Sequence, residues 1–316
     1  MKYFSIHILK SFFILLFCFI VFIALNESQN TKIIYISEND DPAVFINTLQ
    51  SENIVLNRFS RLFIETYIKL RGGIEPGGYE INSKMGAVAT ILTLNKPQYR
   101  YVSIYDGFRK AEISERIGKQ LNWSQEQIKD FAHIPDLCPL YGVEGFFASG
   151  TYLIHVKEDV DIIEQTMLQV FQDTLRELNL AEDSVSLHQI IILASLIQRE
   201  AAGIGDMRLI SGIIHNRLKI DMPLQIDATL QYIKGDQNNW WPVPRPQDKI
   251  IDSPFNTYLN IGLPPLPIAT PSKDAIYAAL NPLETDCLYY LHDKRGVIHC
   301  ATTYDQHRQN IRNYLR

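Results

Sequence analysis

Residues Ser186–Ala201 read SLHQIIILASLIQREA and form the clearest helix signal in the chain. Ser186 and Gln189 have the spacing of a capping box, in which each side chain bonds a backbone amide at the start of a helix. At 100° per residue, three side chains fall within about 40° of Gln189, and they are Leu193, Leu196 and Glu200. The pattern predicts a helix whose interior-facing stripe ends at Glu200.

A carboxyl group at the end of such a stripe has special acid–base chemistry. Partial loss of water raises the pKa of a carboxyl group and keeps it protonated near neutral pH, which is the state of a general acid. Glu200 is therefore a candidate catalytic acid. A salt bridge from Glu200 to Arg199 or Arg208 is the alternative, and the sequence leaves both open.

The N-terminal segment predicts a membrane anchor. Every residue of Phe12–Leu25 is apolar, and the stretch back to Ile6 gives 20 residues, or about 30 Å of helix, the thickness of the hydrocarbon layer. Lys2 and Lys10 precede the run, so the N-terminus is expected in the cytoplasm and the rest of the chain outside it. A cleaved signal peptide and a buried core helix are the alternatives.

Composition excludes several function classes. The 316 residues carry 30 basic and 35 acidic side chains, a net charge of −5, with no run of Lys or Arg, so nucleic acid is not an expected partner. The four cysteines form no CxxC pair, so a structural zinc site is not expected. Cys287 and Cys300 flank a turn-like stretch, so a hairpin there would bring them together, with two free thiols as the alternative.

The remainder of the chain is predicted to form two lobes of an α+β fold. Lys32–Gln50 and Arg100–Gln120 look like two copies of one strand–helix unit. We expect residues 1–10 to form a cytoplasmic tail, 11–30 a single transmembrane helix, 31–155 the βα lobe, and 156–316 a mixed α/β catalytic lobe.

Four motifs then carry a resemblance to a known family. Leu193–Ala201 (LASLIQREA), Met222–Tyr232 (MPLQIDATLQY), Ser253–Tyr258 (SPFNTY) and Gly262–Pro271 (GLPPLPIATP) follow one another in order. They resemble the motifs of the MltG (YceG-like) family of membrane-anchored endolytic murein lytic transglycosylases. The likeness extends over about residues 33–316, strongly from Leu193 onward, and implies that the βα lobe is LysM-like.

The resemblance implies that the chain cleaves the MurNAc–GlcNAc bond of nascent peptidoglycan strands and leaves 1,6-anhydro-MurNAc ends. It also implies a place in the cytoplasmic (inner) membrane beside penicillin-binding proteins, and an activity that needs no metal or cofactor. The family has a second Glu in the catalytic helix where this chain has Gln198, so only Glu200 can be the acid. One carboxyl group suffices, because it can protonate the leaving oxygen and then take the proton of the C6 hydroxyl.

Five further residues are candidates for substrate binding: Gln225, Asp227, Asn256, Tyr258 and Arg217. Amides can bond sugar hydroxyls without charge, tyrosine rings can stack on sugars, and arginine can pair with substrate carboxylates. Each has a structural alternative: loop ordering for the amides, a core position for Tyr258 and Tyr232, a turn or helix cap for Asp227, and a solvated or bridged side chain for Arg217. Trp240 and Trp241 could be a glycan platform or a loop anchor.

Two other functions remain open from the sequence. One is a catalytically inert scaffold of the cell-wall synthesis machinery, which would keep the fold and bind glycan without cleaving it. A hydrolytic muramidase would use Asp227 as the partner of Glu200 and would leave reducing ends, since hydrolysis usually needs two carboxylates.

Overall fold

The computed structural model of the protein describes residues 31–38, 40–52, 54, 58–82, 85–134, 144–180 and 185–315. The predicted cytoplasmic tail and transmembrane anchor, residues 1–30, lie outside this part of the chain. Within the described residues, no helix has the length and apolarity that a membrane span requires.

The chain divides into two compact units. The first contains the described residues up to Tyr101 together with Leu153–Val156, and the second contains Val102–Tyr152 and Lys157–Arg316. This division places most of the second strand–helix repeat with the C-terminal part of the chain. It therefore differs from the boundary at residue 155 expected from the sequence.

The first unit contains two antiparallel strands and three helices. In chain order they are β1 Thr31–Ile36, α1 Pro42–Ser51, α2 Arg58–Arg71, β2 Gly77–Asn82 and α3 Ala87–Thr93. The register of β1 and β2 runs from Thr31 opposite Asn82 to Ile36 opposite Gly77. Ile34 and Ile36 of β1 are buried, and they join a core formed with side chains of α1, α2 and β2.

Two strands carry the chain between the units. They are β3 Tyr99–Ile104 and β4 Gly150–His155, and α4 Lys110–Leu121 and α5 Gln125–Ala132 lie between them in sequence. The four strands form one sheet in the order β1-β2-β3-β4. Both predicted strand–helix repeats are confirmed, the first as β1 and α1 and the second as β3 and α4.

From Val160 onward, the described residues of the second unit form six helices and a hairpin. They are α6 Val160–Glu177, α7 Val185–Glu200, α8 Ile204–Lys219, α9 Asp227–Lys234, α10 Lys273–Leu280, β5 Tyr289–His292, β6 Ile298–Ala301 and α11 Tyr304–Tyr314, with a 3₁₀ turn at Pro246–Ile250. In the hairpin, Tyr289 lies opposite Ala301 and His292 opposite Ile298. The α+β class predicted from the sequence is confirmed.

Helix α7 lies at the centre of the core of the second unit. All seven residues from Ile191 to Ile197 are buried, and seven consecutive residues cover every side of a helix. The predicted helix is confirmed, but two details differ. The helix begins at Val185, so Ser186 lies inside its first turn. Gln189 is exposed because Leu187 and Ile191 form the buried side of this end of the helix, and Gln189 points away from them.

Candidate active site

Glu200 is the last residue of α7. The preceding residues Ile191–Ile197 are buried, whereas Glu200 is partly exposed. The helix therefore places this carboxyl group where the packed core meets the surface.

The Glu200 carboxyl group has two hydrogen-bond donors. The Tyr290 hydroxyl donates to Oε2 over 2.6 Å, and the backbone N–H of Ala228, in the first turn of α9, also donates. Burial raises the pKa of Glu200 most, the charge of Asp227 raises it further, and the two donors and His292 lower it. The net shift is upward, which favours the protonated form from which a general acid donates.

The two arginines of the salt-bridge alternative have other partners. The guanidinium of Arg199 lies over the ring of Trp241, 3.6 Å from its centroid, and Nε of Arg208 donates to the carbonyl of Asn281 over 2.8 Å. These contacts leave Tyr290 and Ala228 as the described hydrogen-bond partners of Glu200.

Asp227 lies beside Glu200 and bonds Tyr258. It is exposed, and its Oδ1 accepts the Tyr258 hydroxyl over 2.6 Å. Asp227 is the first residue of α9, while Ile226 occupies the cap position, so the helix-cap alternative for Asp227 is wrong. The side chains of Asp227 and Tyr258 instead form a polar pair next to the candidate acid.

The two candidate amides differ in accessibility. Gln225 is exposed and has a φ of 49°, a left-handed conformation that is rare outside glycine, and its backbone N–H is held by the carbonyl of Thr257 over 3.0 Å. Asn256 is fully buried, and its Nδ2 donates to the carbonyl of Ile251 over 2.8 Å. Gln225 can therefore reach a ligand, whereas Asn256 orders its own loop, the alternative that the sequence had left open.

Arg217 and Tyr232 also have structural partners. Arg217 on α8 is buried, and its guanidinium donates to the carbonyls of Leu288 and Leu224. The ring of Tyr232 packs against that of Phe255, with centroids 5.0 Å apart. The contacts of Arg217 therefore join α8 to the residue before Gln225 and to the segment just before β5. Tyr232 packs with the core.

The sequence did not single out Tyr290 or His292. They lie two residues apart on β5, and Nε2 of His292 is 2.5 Å from Oδ2 of Asp206. Asp206 in turn accepts the backbone N–H of Ala202, just beyond Glu200, over 3.1 Å. Strand β5 therefore contacts both the candidate acid and the turn that follows it.

A disulfide closes this hairpin. Cys287 and Cys300 are bonded, with their Cα atoms 5.9 Å apart, so the structure settles the pairing that the sequence left open. Tyr290 lies three residues after Cys287, and its Cα pairs with that of Cys300 across the hairpin. The disulfide thus constrains the strand that holds the hydrogen-bond donor to Glu200.

A second buried carboxyl group lies in the same unit. Oε1 of Glu144 accepts the backbone N–H of Lys110 over 2.7 Å, and Oε2 accepts the Tyr232 hydroxyl over 3.2 Å. Burial raises the pKa of Glu144 to about 7, although these donors and Arg109 lower it. Arg109 also donates to the carbonyl of Tyr232 over 2.7 Å, so the network fixes the C-terminal half of α9.

The described residues offer no metal centre, since no group of three or more His, Cys, Asp or Glu side chains among them could hold an ion. The side chains described around Glu200 supply carboxyl, hydroxyl and amide groups.

Comparison with known proteins places the chain in a family. Residues 34–313 match the model of the YceG-like family. A Bacillus subtilis protein named endolytic murein transglycosylase is 28% identical, over 92% of this chain and 86% of that protein. A Streptococcus pneumoniae protein of the same name is 31% identical over 55% of this chain and 33% of its own length.

A solved structure supports the same assignment at the level of the fold. The crystal structure of a YceG-like protein from Listeria monocytogenes covers 89% of this chain and 99% of its own, with a TM-score of 0.58 and 22% identity. Together with the family match over most of the length, this shows that the chain belongs to the YceG-like family.

Proposed function

We propose that the protein is an endolytic murein transglycosylase, a lyase that cleaves the MurNAc–GlcNAc bond inside peptidoglycan strands and leaves 1,6-anhydro-MurNAc ends. The observation that carries the proposal is the carboxyl group of Glu200, which lies at the edge of the core with hydroxyl and amide donors around it and has its pKa raised by burial. The names of the relatives in Bacillus subtilis and Streptococcus pneumoniae support the same activity.

The reaction uses Glu200 twice. In the first step Glu200 donates its proton to the glycosidic oxygen as the bond to C1 of MurNAc breaks. In the second step the Glu200 carboxylate takes the proton from the C6 hydroxyl, whose oxygen bonds C1 and closes the anhydro ring. Because this returns the proton to Glu200, no water is consumed and the acid is ready for another cycle.

The neighbours of Glu200 assist both steps. The hydroxyl of Tyr290 and the N–H of Ala228 stabilise the carboxylate that forms in the first step. The charge of Asp227, held by Tyr258, stabilises the positive charge that develops at C1. Exposed Gln225 is positioned to bond sugar hydroxyls or the acetamido group.

The position of Asp227 also supports a second candidate function. Because its charge acts on Glu200, Asp227 could activate water, and the enzyme would then be a hydrolytic muramidase. The two reactions leave different products, since hydrolysis gives reducing ends and transglycosylation gives anhydro ends.

Mass spectrometry of the products tests both functions. The full-length protein in detergent is incubated with uncrosslinked peptidoglycan strands, beside a Glu200→Gln variant that keeps the size and hydrogen bonding of the side chain. We expect internal fragments with anhydro-MurNAc ends from the native protein alone. Reducing ends would establish the muramidase, and retained binding without cleavage would establish an inert scaffold.

We further propose that residues 11–30 anchor the protein in the cytoplasmic membrane, with residues 1–10 inside and the catalytic unit outside. The apolar run and its basic flank support this, and the Cys287–Cys300 disulfide suits an oxidising, extracytoplasmic compartment. Work on strands emerging beside penicillin-binding proteins would follow from that location. Accessibility of a tag after Arg316 to protease in intact spheroplasts tests the orientation, because a cytoplasmic tag would be protected.

A further inference from the structure

A groove in the second unit lies outside the site described above. It runs between α4 and α5 on one side and the segment Asp236–Trp240 on the other, and it contains two adjoining cavities of about 750 and 360 Å³. Both cavities are lined by Glu115, Gln125, Gln237 and Trp240, so they form one continuous surface. Their sizes fall within the range of about 300–1,000 Å³ that is typical of small-molecule sites.

The charges that line the groove are balanced. The acidic residues are Glu112, Glu115 and Asp236, and the basic residues are Arg116, Lys119 and Lys129. Three charges of each sign create no field that would select a polyanion or a polycation. The ligand that fits such a lining is polar and carries little net charge where it contacts the protein.

Aromatic rings and amides supply the other contacts. Trp240, Trp123 and Phe108 line the larger cavity, and all three are partly exposed. The amides of Gln125 and Gln237 are exposed beside them. Aromatic faces pack against the C–H faces of sugar rings, while amides both donate to and accept from hydroxyl and acetamido groups. This combination is suited to a carbohydrate.

The groove is connected to the candidate acid through Trp241. The ring of Trp241 lies over the guanidinium of Arg199, at 3.6 Å, and Arg199 is the residue before Glu200. The indole N–H of Trp241 donates over 3.4 Å to Glu112, which lines the groove. The two adjacent tryptophans therefore have separate positions, with Trp241 anchored beside the catalytic helix and Trp240 lining the groove.

We propose that this groove binds a segment of the glycan strand beyond the one undergoing cleavage. The inference rests on the proposed function, because an enzyme that cuts inside a strand handles a polymer that continues on both sides of the cut. The ring of Trp240 stacks on a sugar, and Gln125 and Gln237 bond its polar groups. The groove therefore favours long strands over short ones.

Kinetics on strands of graded length tests the proposal in the full-length protein. In Trp240→Ala we expect the KM for long strands to rise roughly tenfold, the equivalent of about 1.4 kcal/mol, with kcat unchanged, because the lost binding is equal in the ground and transition states. The KM for the shortest cleaved strands should stay the same. Tyr277→Ala, which removes an exposed ring on α10 away from the groove, is the matched control.

A second variant keeps the test decisive if Trp240→Ala does not fold. The side chains of Gln125 and Gln237 are exposed, so Gln125→Ala/Gln237→Ala should fold and show the same length-dependent rise in KM. An unchanged KM for long strands in this double variant, with active native protein, would overturn the groove and leave the proposed function intact. Native protein that cleaves no strand of any length would instead refute the proposed function.

Calorimetric titration of Glu200→Gln with long strands, with and without Trp240→Ala, then measures the affinity that the groove contributes in the absence of catalysis. Equal affinities would overturn the proposal.

Discussion

The disulfide between Cys287 and Cys300 should stabilise the unit that carries the candidate acid. The two cysteines are 13 residues apart in sequence, and closing a loop of that length removes entropy from the unfolded chain worth about 3 kcal/mol at 25 °C. For a unit of about 200 residues, 1 kcal/mol corresponds to about 2–4 °C in Tm. Loss of the disulfide should therefore lower Tm by about 6–12 °C.

The three tryptophans make this change measurable. Trp123, Trp240 and Trp241 all lie in the second unit, so their fluorescence reports the unfolding of that unit without contribution from the first. Native protein is compared with Cys287→Ser/Cys300→Ser, each with and without reductant. We expect the double variant and the reduced native protein to melt at the same lower temperature.

The double variant is also the control for the reductant, because it retains Cys18 and Cys138. Reductant should leave the Tm of the double variant unchanged. Activity should fall as well, because the hairpin that holds the hydroxyl of Tyr290 against Glu200 is less constrained. If thiol titration shows complete reduction of the native protein and Tm shifts by less than about 2 °C, the assignment of stabilisation to this disulfide is refuted.

Two further predictions concern the buried carboxyl groups. Tyr290→Phe removes the hydroxyl that donates to Glu200, so the pKa of Glu200 should rise and kcat should fall about tenfold, the effect of losing about 1.5 kcal/mol. Tyr289→Phe is the control and should behave as the native protein. A pH–rate profile of Tyr290→Phe that does not move toward higher pH would contradict this. Burial gives Glu144 a pKa of about 7 in the folded protein, against an ordinary value of 4.5. Between these two pH values the folded state binds more protons than the unfolded state, so the free energy of unfolding should fall as pH rises through them. We expect a fall of about 3 kcal/mol relative to Glu144→Gln. Urea unfolding of both proteins at pH 5 and pH 8 measures the difference, and parallel pH dependence would exclude Glu144 as the cause.

The catalytic helix was predictable because its signals are local. A long apolar run with a terminal Glu identifies both α7 and Glu200, and burial then raises the pKa of that carboxyl group as expected. The apolar stripe predicted the buried face of the helix less well. The middle of the helix is covered on all sides by the core, so periodicity no longer marks an interior face there. Near the start of the helix the core covers one side only, the side of Leu187 and Ile191, and Gln189 is exposed on the other.

The partners of Glu200 were not predictable because they depend on distant pairing. Tyr290 is 90 residues away in sequence, and only the register of the hairpin decides that Tyr290 rather than Tyr289 reaches the acid.

The roles of the two candidate amides were not predictable from the sequence either. Gln225 and Asn256 stand in similar motifs, but a neutral amide that faces a ligand and one that ties its own loop look the same in sequence, and only Asn256 proves to be buried.

Because α7 is buried, the position of Glu200 and its proton affinity depend on different residues and need not change together. The place of Glu200 is fixed by a helix whose middle seven residues are all in the core, so few substitutions there are tolerated. Its proton affinity is raised mainly by burial and is adjusted from outside that helix, by Tyr290 on a hairpin and by Asp227 at the start of α9. Selection can therefore adapt the working pH of the enzyme to the acidity of its surroundings through a few residues near the surface, while the geometry of bond cleavage stays the same.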